Sequence, residues 1–298
     1  MNWAVQHDID TDVLPFQPIH LALFFKDLSE NTEVSDVTLA SFSAAISYLH
    51  NSYGLESPMN SLIAQNSLRA ARKITGREKK RKEPVTEEMM VKICSSYKID
   101  KSLENLRFIL GALMQLHGFL RASDLLKIQR AHICLKKDHF SIFLESSKTD
   151  KLRRGYTLLI NENSENPIFC PVFYLKEYLT RTGMLEISNK FLFRRIVAIK
   201  GRKKTLAARN VPMTYACLRD ILLKKLKLMG YNELKYGTHS FRSGGATLCC
   251  NKEVDLELIK LQGMWRSEAV QSYLKRDKQQ RLIASKCISK QLNLMKKI

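Results

Sequence analysis

The chain has 298 residues, of which 49 are basic and 29 acidic, giving a net charge of +20, and 45% of it is hydrophobic. That apolar share excludes a disordered chain, and no run reaches the roughly 18 uninterrupted apolar residues of a membrane-spanning helix. Seven cysteines, at 94, 134, 170, 217, 249, 250 and 287, form neither a C-x-x-C pair nor an even set, which argues for a reducing intracellular setting and against structural zinc. The positive excess points to a polyanionic partner, nucleic acid before acidic membrane.

The charge is unevenly placed. Residues 1–66 hold one basic residue, Lys26, against eight acidic ones. Helical apolar spacing runs through 20–28, 37–53 and 61–74, so residues 1–75 are expected to form a helical N-terminal domain. Ser35 or Asp36 can cap the second of these helices, and Gly54 can end it. On the third, Arg69, Arg72 and Lys73 stand at i, i+3 and i+4 and make one basic face. "GREKKRKEP", residues 76–84, has no periodicity and reads as an interdomain linker. Its Lys79, Lys80, Arg81 and Lys82 suit a solvated tether, a phosphate contact or a nuclear import signal.

Residues 85–298 make the second domain. Thr86 caps a helix, and 102–118 is apolar on most faces, as a buried helix is. Residues 139–146 and 156–160 read as two strands joined by a turn. Helices are expected near 171–181, 214–229 and 255–261, with a further one opened by Ser267 and a final amphipathic one over 277–298. The fold expected is mainly α with one small antiparallel sheet.

Within "GTHSFRSGGATLCC", residues 237–250, His239 and Arg242 lie one helical turn apart, followed by Ser243, Gly244, Gly245 and Ala246. Residues that small would let a bulky partner approach the backbone. Arg121 follows a helix-ending glycine, with Asp124 one turn on to hold its guanidinium. Lys148 sits in the turn between the strands, and Trp265 and Tyr273 come last. Any one of these has an ordinary structural reading.

Taken in order, Arg121, Lys148, His239, Arg242, Trp265 and Tyr273 resemble the catalytic set of the tyrosine recombinases, the integrase family of DNA-breaking and rejoining enzymes. "ESSKTDKLRRG", "GTHSFRSGGAT" and "WRSEAVQSYL" look most similar to recombinases of eukaryotic Crypton and DIRS-like mobile elements. The resemblance implies a helical core-binding domain followed by a mixed α/β catalytic domain. It implies Tyr273 as nucleophile, forming a 3′-phosphotyrosyl intermediate, with Arg121 and Arg242 clamping the phosphate oxygens. His239 would assist deprotonation, Lys148 would protonate the departing 5′ oxygen, and Trp265 takes the place where many relatives have His. The expected partner is double-stranded DNA, with no metal, cofactor or membrane. A homodimer or tetramer would assemble on DNA through the C-terminal helix, in the nucleus, to integrate or excise a mobile element. The alternative is a domesticated DNA-binding protein that no longer cuts.

Overall fold

A computed structural model describes residues 3, 14–76, 82–145, 154–198 and 204–275. The chain divides into two compact units, Met1–Lys80 and Arg81–Ile298.

In the first unit, α1 spans Pro18–Asn31, α2 Asp36–Ser52 and α3 Leu62–Thr75. Each start has a local cause. Pro18 supplies a preset φ at the first position of α1, the Ser35 hydroxyl accepts from Thr38 N–H, and the Ser61 hydroxyl accepts from Ile63 N–H. Leu21, Phe25, Leu39, Met59, Ala64 and Ala71 form a small core, with α1 packed mainly on α3. His50 is fully buried beside it. Its Nε2 accepts from Phe16 N–H at 3.0 Å, so its Nδ1 carries the hydrogen given to the Ile46 carbonyl at 2.8 Å.

The second unit is built around α5, Leu103–His117, whose residues are buried on nearly every side. Before it lies α4, Glu87–Ser95, capped by Thr86 and begun by two glutamates that suit the positive end of a helix. Strands β1 (Ile133–Leu135), β2 (His139–Leu144) and β3 (Tyr156–Asn161) make an antiparallel sheet in that order, with Leu144 opposite Tyr156 and His139 opposite Asn161. Phe140, Ile142, Leu144, Leu158 and Ile160 alternate onto the core face. The remaining elements are α6 (Ala122–Lys127), α7 (Pro171–Thr182), β4 (Ile196–Val197), β5 (Thr205–Leu206), α8 (Tyr215–Leu228), α9 (Ser240–Asn251) and α10 (Leu256–Gly263). Both α7 and α9 pack on α5.

Three features depart from the sequence expectations. A second antiparallel pair, β4 with β5, accompanies the expected sheet. At two residues per strand it is too short to show a period. The stretch opened by Ser267 is a 3₁₀ turn, Glu268–Ser272, and not a longer helix. Ser267 accepts from Ala269 N–H, and the Ser272 hydroxyl bonds back to the Ala269 carbonyl, closing the turn early. Finally, the end of the basic linker is no solvated tether. Lys82 Nζ donates to the Leu234 carbonyl at 2.6 Å, Glu83 N–H to the Lys235 carbonyl at 2.7 Å, and Val85 N–H to the Ser240 carbonyl at 3.0 Å. Lys79, Lys80, Arg81, Lys148 and the expected helix over 277–298 lie outside the described residues.

Candidate active site

Five of the six residues singled out in the sequence come together, with Arg121, Trp265 and Tyr273 at the Arg242 guanidinium and His239 beside Tyr273. Gly118 ends α5, Phe119 takes a positive φ of 44°, and Arg121 stands at the start of α6. Few non-glycine residues adopt such a φ, and tertiary contacts must hold it there. The contact is visible: the Phe119 carbonyl accepts from Arg242 Nη1. Arg242, on α9, is wholly buried, and its Nη2 donates to the Gly263 carbonyl at 2.7 Å.

The Trp265 ring covers the Arg242 guanidinium at 4.0 Å, and the Tyr273 ring lies 5.2 Å from it. Trp265 reaches this position because Met264 adopts a left-handed conformation that folds the chain back at the end of α10. Any Cβ at Gly263 would run into the Trp265 ring, so only glycine fits there. Trp265 and Tyr273 pack with centroids 5.2 Å apart, and the exposed His239 sits 6.3 Å from Tyr273. Below these rings, Phe119, Ala246, Ile259, Trp265 and Val270 form a small core of their own.

Charge is concentrated here. Burial pushes Arg242 down to about 10, and the neighbouring charge of Arg121 pushes the same way, against the Tyr273 phenol and Asp124. Asp124 faces Arg121 at 3.5 Å, an ion pair too long to be a hydrogen bond. Arg121 Nη1, Arg242 Nε and Trp265 Nε1 are buried and have no hydrogen-bond acceptor among the described residues. Leaving a buried donor unpaired costs about 1–3 kcal/mol, more when it is charged. Asp124 Oδ2 is buried without a hydrogen bond as well and faces Arg121 Nη1, so Arg242 Nε and Trp265 Nε1 are the two donors left open to an acceptor-rich anion.

No protein-family model matches the chain. It is 25% identical over 270 residues to an integrase/recombinase xerD homolog of Selenomonas ruminantium, covering 90% of this chain and 75% of that one. Among solved structures, the Tn1549 transposon integrase in complex with transposon right end DNA superposes with a TM-score of 0.59 at 12% identity, over 93% of this chain and 86% of that one. The XerH site-specific recombinase bound to palindromic difH substrate, in a post-cleavage complex, gives 0.54 at 19% identity, over 92% and 78%. The chain has the tyrosine recombinase fold. The sequence likeness to an integrase/recombinase supports that family.

Within this recombinase fold the glycines of α9 serve differently from what the sequence suggested. A Cβ on Gly244 would sit 2.5 Å from the Val85 carbonyl oxygen, and one on Gly245 would collide with the Leu116 carbonyl and the Phe119 ring. The bulky neighbour they admit is the protein itself. Their close packing sets α9 against the end of α5, which brings Arg121 beside Arg242.

The basic residues of α3 belong to the other unit. Arg69, Arg72 and Lys73 are exposed and, with Asp36, Gln65 and Leu68, line an open groove of about 400 Å³. Arg72 also pairs with Asp36 at 3.8 Å. Lys82 is spent on a backbone carbonyl. Sequence reasoning missed the residues that hold the site together. Ser243 and Thr247 reach the Tyr273 backbone, and Lys260 joins Glu257 and Glu268 at 2.9 and 2.5 Å, tying α10 to the turn before Tyr273. The one available signal was spacing, since Ser243 and Thr247 are i and i+4 on the helix that carries Arg242.

Proposed function

We propose that this chain is a DNA strand-breaking and rejoining enzyme of the tyrosine recombinase kind. The observation that carries the reading is the neighbouring pair of guanidiniums, Arg121 and Arg242, with the buried donors Arg242 Nε and Trp265 Nε1 lacking acceptors, beside the Tyr273 ring. A phosphodiester supplies the acceptors they lack. Its non-bridging oxygens gain negative charge during in-line attack, and donors fixed in a water-poor place stabilise that charge strongly.

The Tyr273 oxygen attacks phosphorus, the bond to the 5′ oxygen breaks, and a 3′-phosphotyrosyl link stores the bond for religation. The phenol gives up its proton beside two guanidiniums, with His239 as the assisting group. Lys148 is our choice for the group that protonates the leaving 5′ oxygen. The mobile-element role extends the likeness to a transposon integrase, and a nuclear setting extends the basic run at 79–82. Assembly as a dimer or tetramer on DNA through residues 277–298 belongs to the same reading, as does a Crypton or DIRS-like origin.

The test uses nicked duplexes tiled across the sequences flanking the protein's own gene. Denaturing gels should show protein joined to a 3′ phosphate, and Tyr273→Phe should bind the same duplex without forming the adduct. Binding with no adduct from the unaltered protein would identify a silent DNA binder instead. An adduct mapped to Tyr231 or Tyr236 would overturn the choice of nucleophile.

A further inference from the structure

Hydroxyls inside helices usually bond back to the carbonyl four residues earlier, closing on their own helix. This chain follows that habit: Ser41, Ser52, Thr75, Thr180 and Thr182 donate to the carbonyls of Val37, Tyr48, Ala71, Lys176 and Tyr178. Two hydroxyls of α9 do not. Ser243 Oγ donates to the Tyr273 carbonyl at 2.6 Å, and Thr247 Oγ1 donates to the same oxygen at 3.2 Å. Thr247 Oγ1 also accepts from Lys275 N–H at 3.2 Å, so it grips the chain on both sides of residue 274.

That carbonyl needs the help. The preceding 3₁₀ turn is five residues long and offers weaker hydrogen-bond geometry than an α-helix. The Tyr273 N–H is already used within it, on the Val270 carbonyl. Reacting groups must be held within about 0.5 Å of the productive geometry, and a short turn alone does not supply that. Ser243 adjoins Arg242 in the chain, and Thr247 lies one turn beyond Ser243. One rigid helix therefore fixes both the buried guanidinium and the backbone of the tyrosine.

We propose that Ser243 and Thr247 are positioning residues that key Tyr273 to Arg242, so that the phenol arrives in line with a phosphate held by the guanidinium. This rests on Tyr273 being the nucleophile. The two hydroxyls touch no reacting atom and act through the Tyr273 backbone.

The test combines single-turnover cleavage at saturating DNA with fluorine NMR of protein carrying 3-fluorotyrosine at position 273. Ser243→Ala with Thr247→Val should slow adduct formation about 100-fold, a loss expected when a reacting group is misplaced by about 1 Å. The DNA dissociation constant should stay unchanged, and the single fluorine resonance should broaden or split. Thr247→Ser, which keeps the hydroxyl, should remain within about threefold of the unaltered rate. A double variant with the original rate and a single unshifted resonance overturns the proposal, as does a loss confined to DNA affinity. Failure of the underlying reading looks different: Tyr273→Phe would still form the adduct, whatever the fluorine spectrum of the double variant.

Discussion

Buried arginines occur in two regions of the second unit, and they differ in how completely their donors are used. In the main body Arg130 is saturated. Its Nε, Nη1 and Nη2 donate to the carbonyls of Met184, Ile133 and Leu185, each at 2.9 Å. Arg194 likewise spends Nε and Nη1 on the carbonyls of Phe191 and Ala207. Around Tyr273, Arg242 gives Nη1 and Nη2 to carbonyls but keeps Nε without an acceptor, Arg121 Nη1 faces Asp124 only at 3.5 Å, and the two guanidiniums stand close enough that one lowers the pKa of the other. An arginine that serves the fold closes its hydrogen bonds with backbone. Under the reading proposed above, an arginine that serves an anion is left incomplete, and the fold carries that cost until the anion comes.

The difference can be broken most directly by exchange of function. Arg130→Leu strands three carbonyls, so it should lower stability by about 3 kcal/mol or more in denaturant unfolding. Arg121→Met together with Asp124→Asn, which also neutralises the buried carboxylate facing Arg121, should do the reverse. It removes a charge that repels Arg242, so stability should hold or rise, while cleavage falls about 100- to 1,000-fold. If both variants lose stability alike, the two regions do not differ in kind.

A smaller effect sharpens the comparison without any DNA. Sulfate offers the oxygens that the unpaired donors lack. At ten times its dissociation constant it should stabilise the unaltered protein by about 1.4 kcal/mol, seen as a raised melting temperature. Arg121→Met should lose most of that rise, and persistence of the full rise would place the anion elsewhere.

His117 extends the comparison to a group with another way out. Arginine stays protonated at working pH and must find acceptors, whereas burial pulls the His117 imidazole below its ordinary value and keeps it neutral. Its folded pKa is depressed, so its contribution to stability is complete above the unfolded value of about 6.5 and is lost as the pH falls from there toward the folded value. The expected slope is at most about 1.4 kcal/mol per pH unit, and His117→Gln should flatten it in urea titrations between pH 7 and 5.

Much of the fold could be read from residues that act locally. Ser35, Ser61, Thr86, Ser102, Thr214 and Asp255 each cap the helix that follows, and a cap needs only its next few neighbours. Strands β2 and β3 announced themselves by alternation. β1, at three residues, and α6, at six, are too short for a period to emerge. The residues that gather at the site were legible as types in order, and five of the six come together while Lys148 lies outside the described residues. The support of the site was not legible. Gly244 and Gly245 face Val85 and Leu116, more than a hundred residues away, and nothing at 244–245 distinguishes room for a ligand from room for another helix.

The small core beneath the site is a separate thermodynamic layer. Phe119, Ala246, Ile259, Trp265 and Val270 bury far less apolar surface than the assembly around α5, so this layer opens at lower cost. Opening it releases the turn that carries Tyr273 while α5 and α9 keep Arg121 and Arg242 in the folded frame. The frame that holds Arg121 and Arg242 is thus tied to the large core around α5, whereas the segment that carries Tyr273 rests on a smaller core and on two hydroxyls of α9.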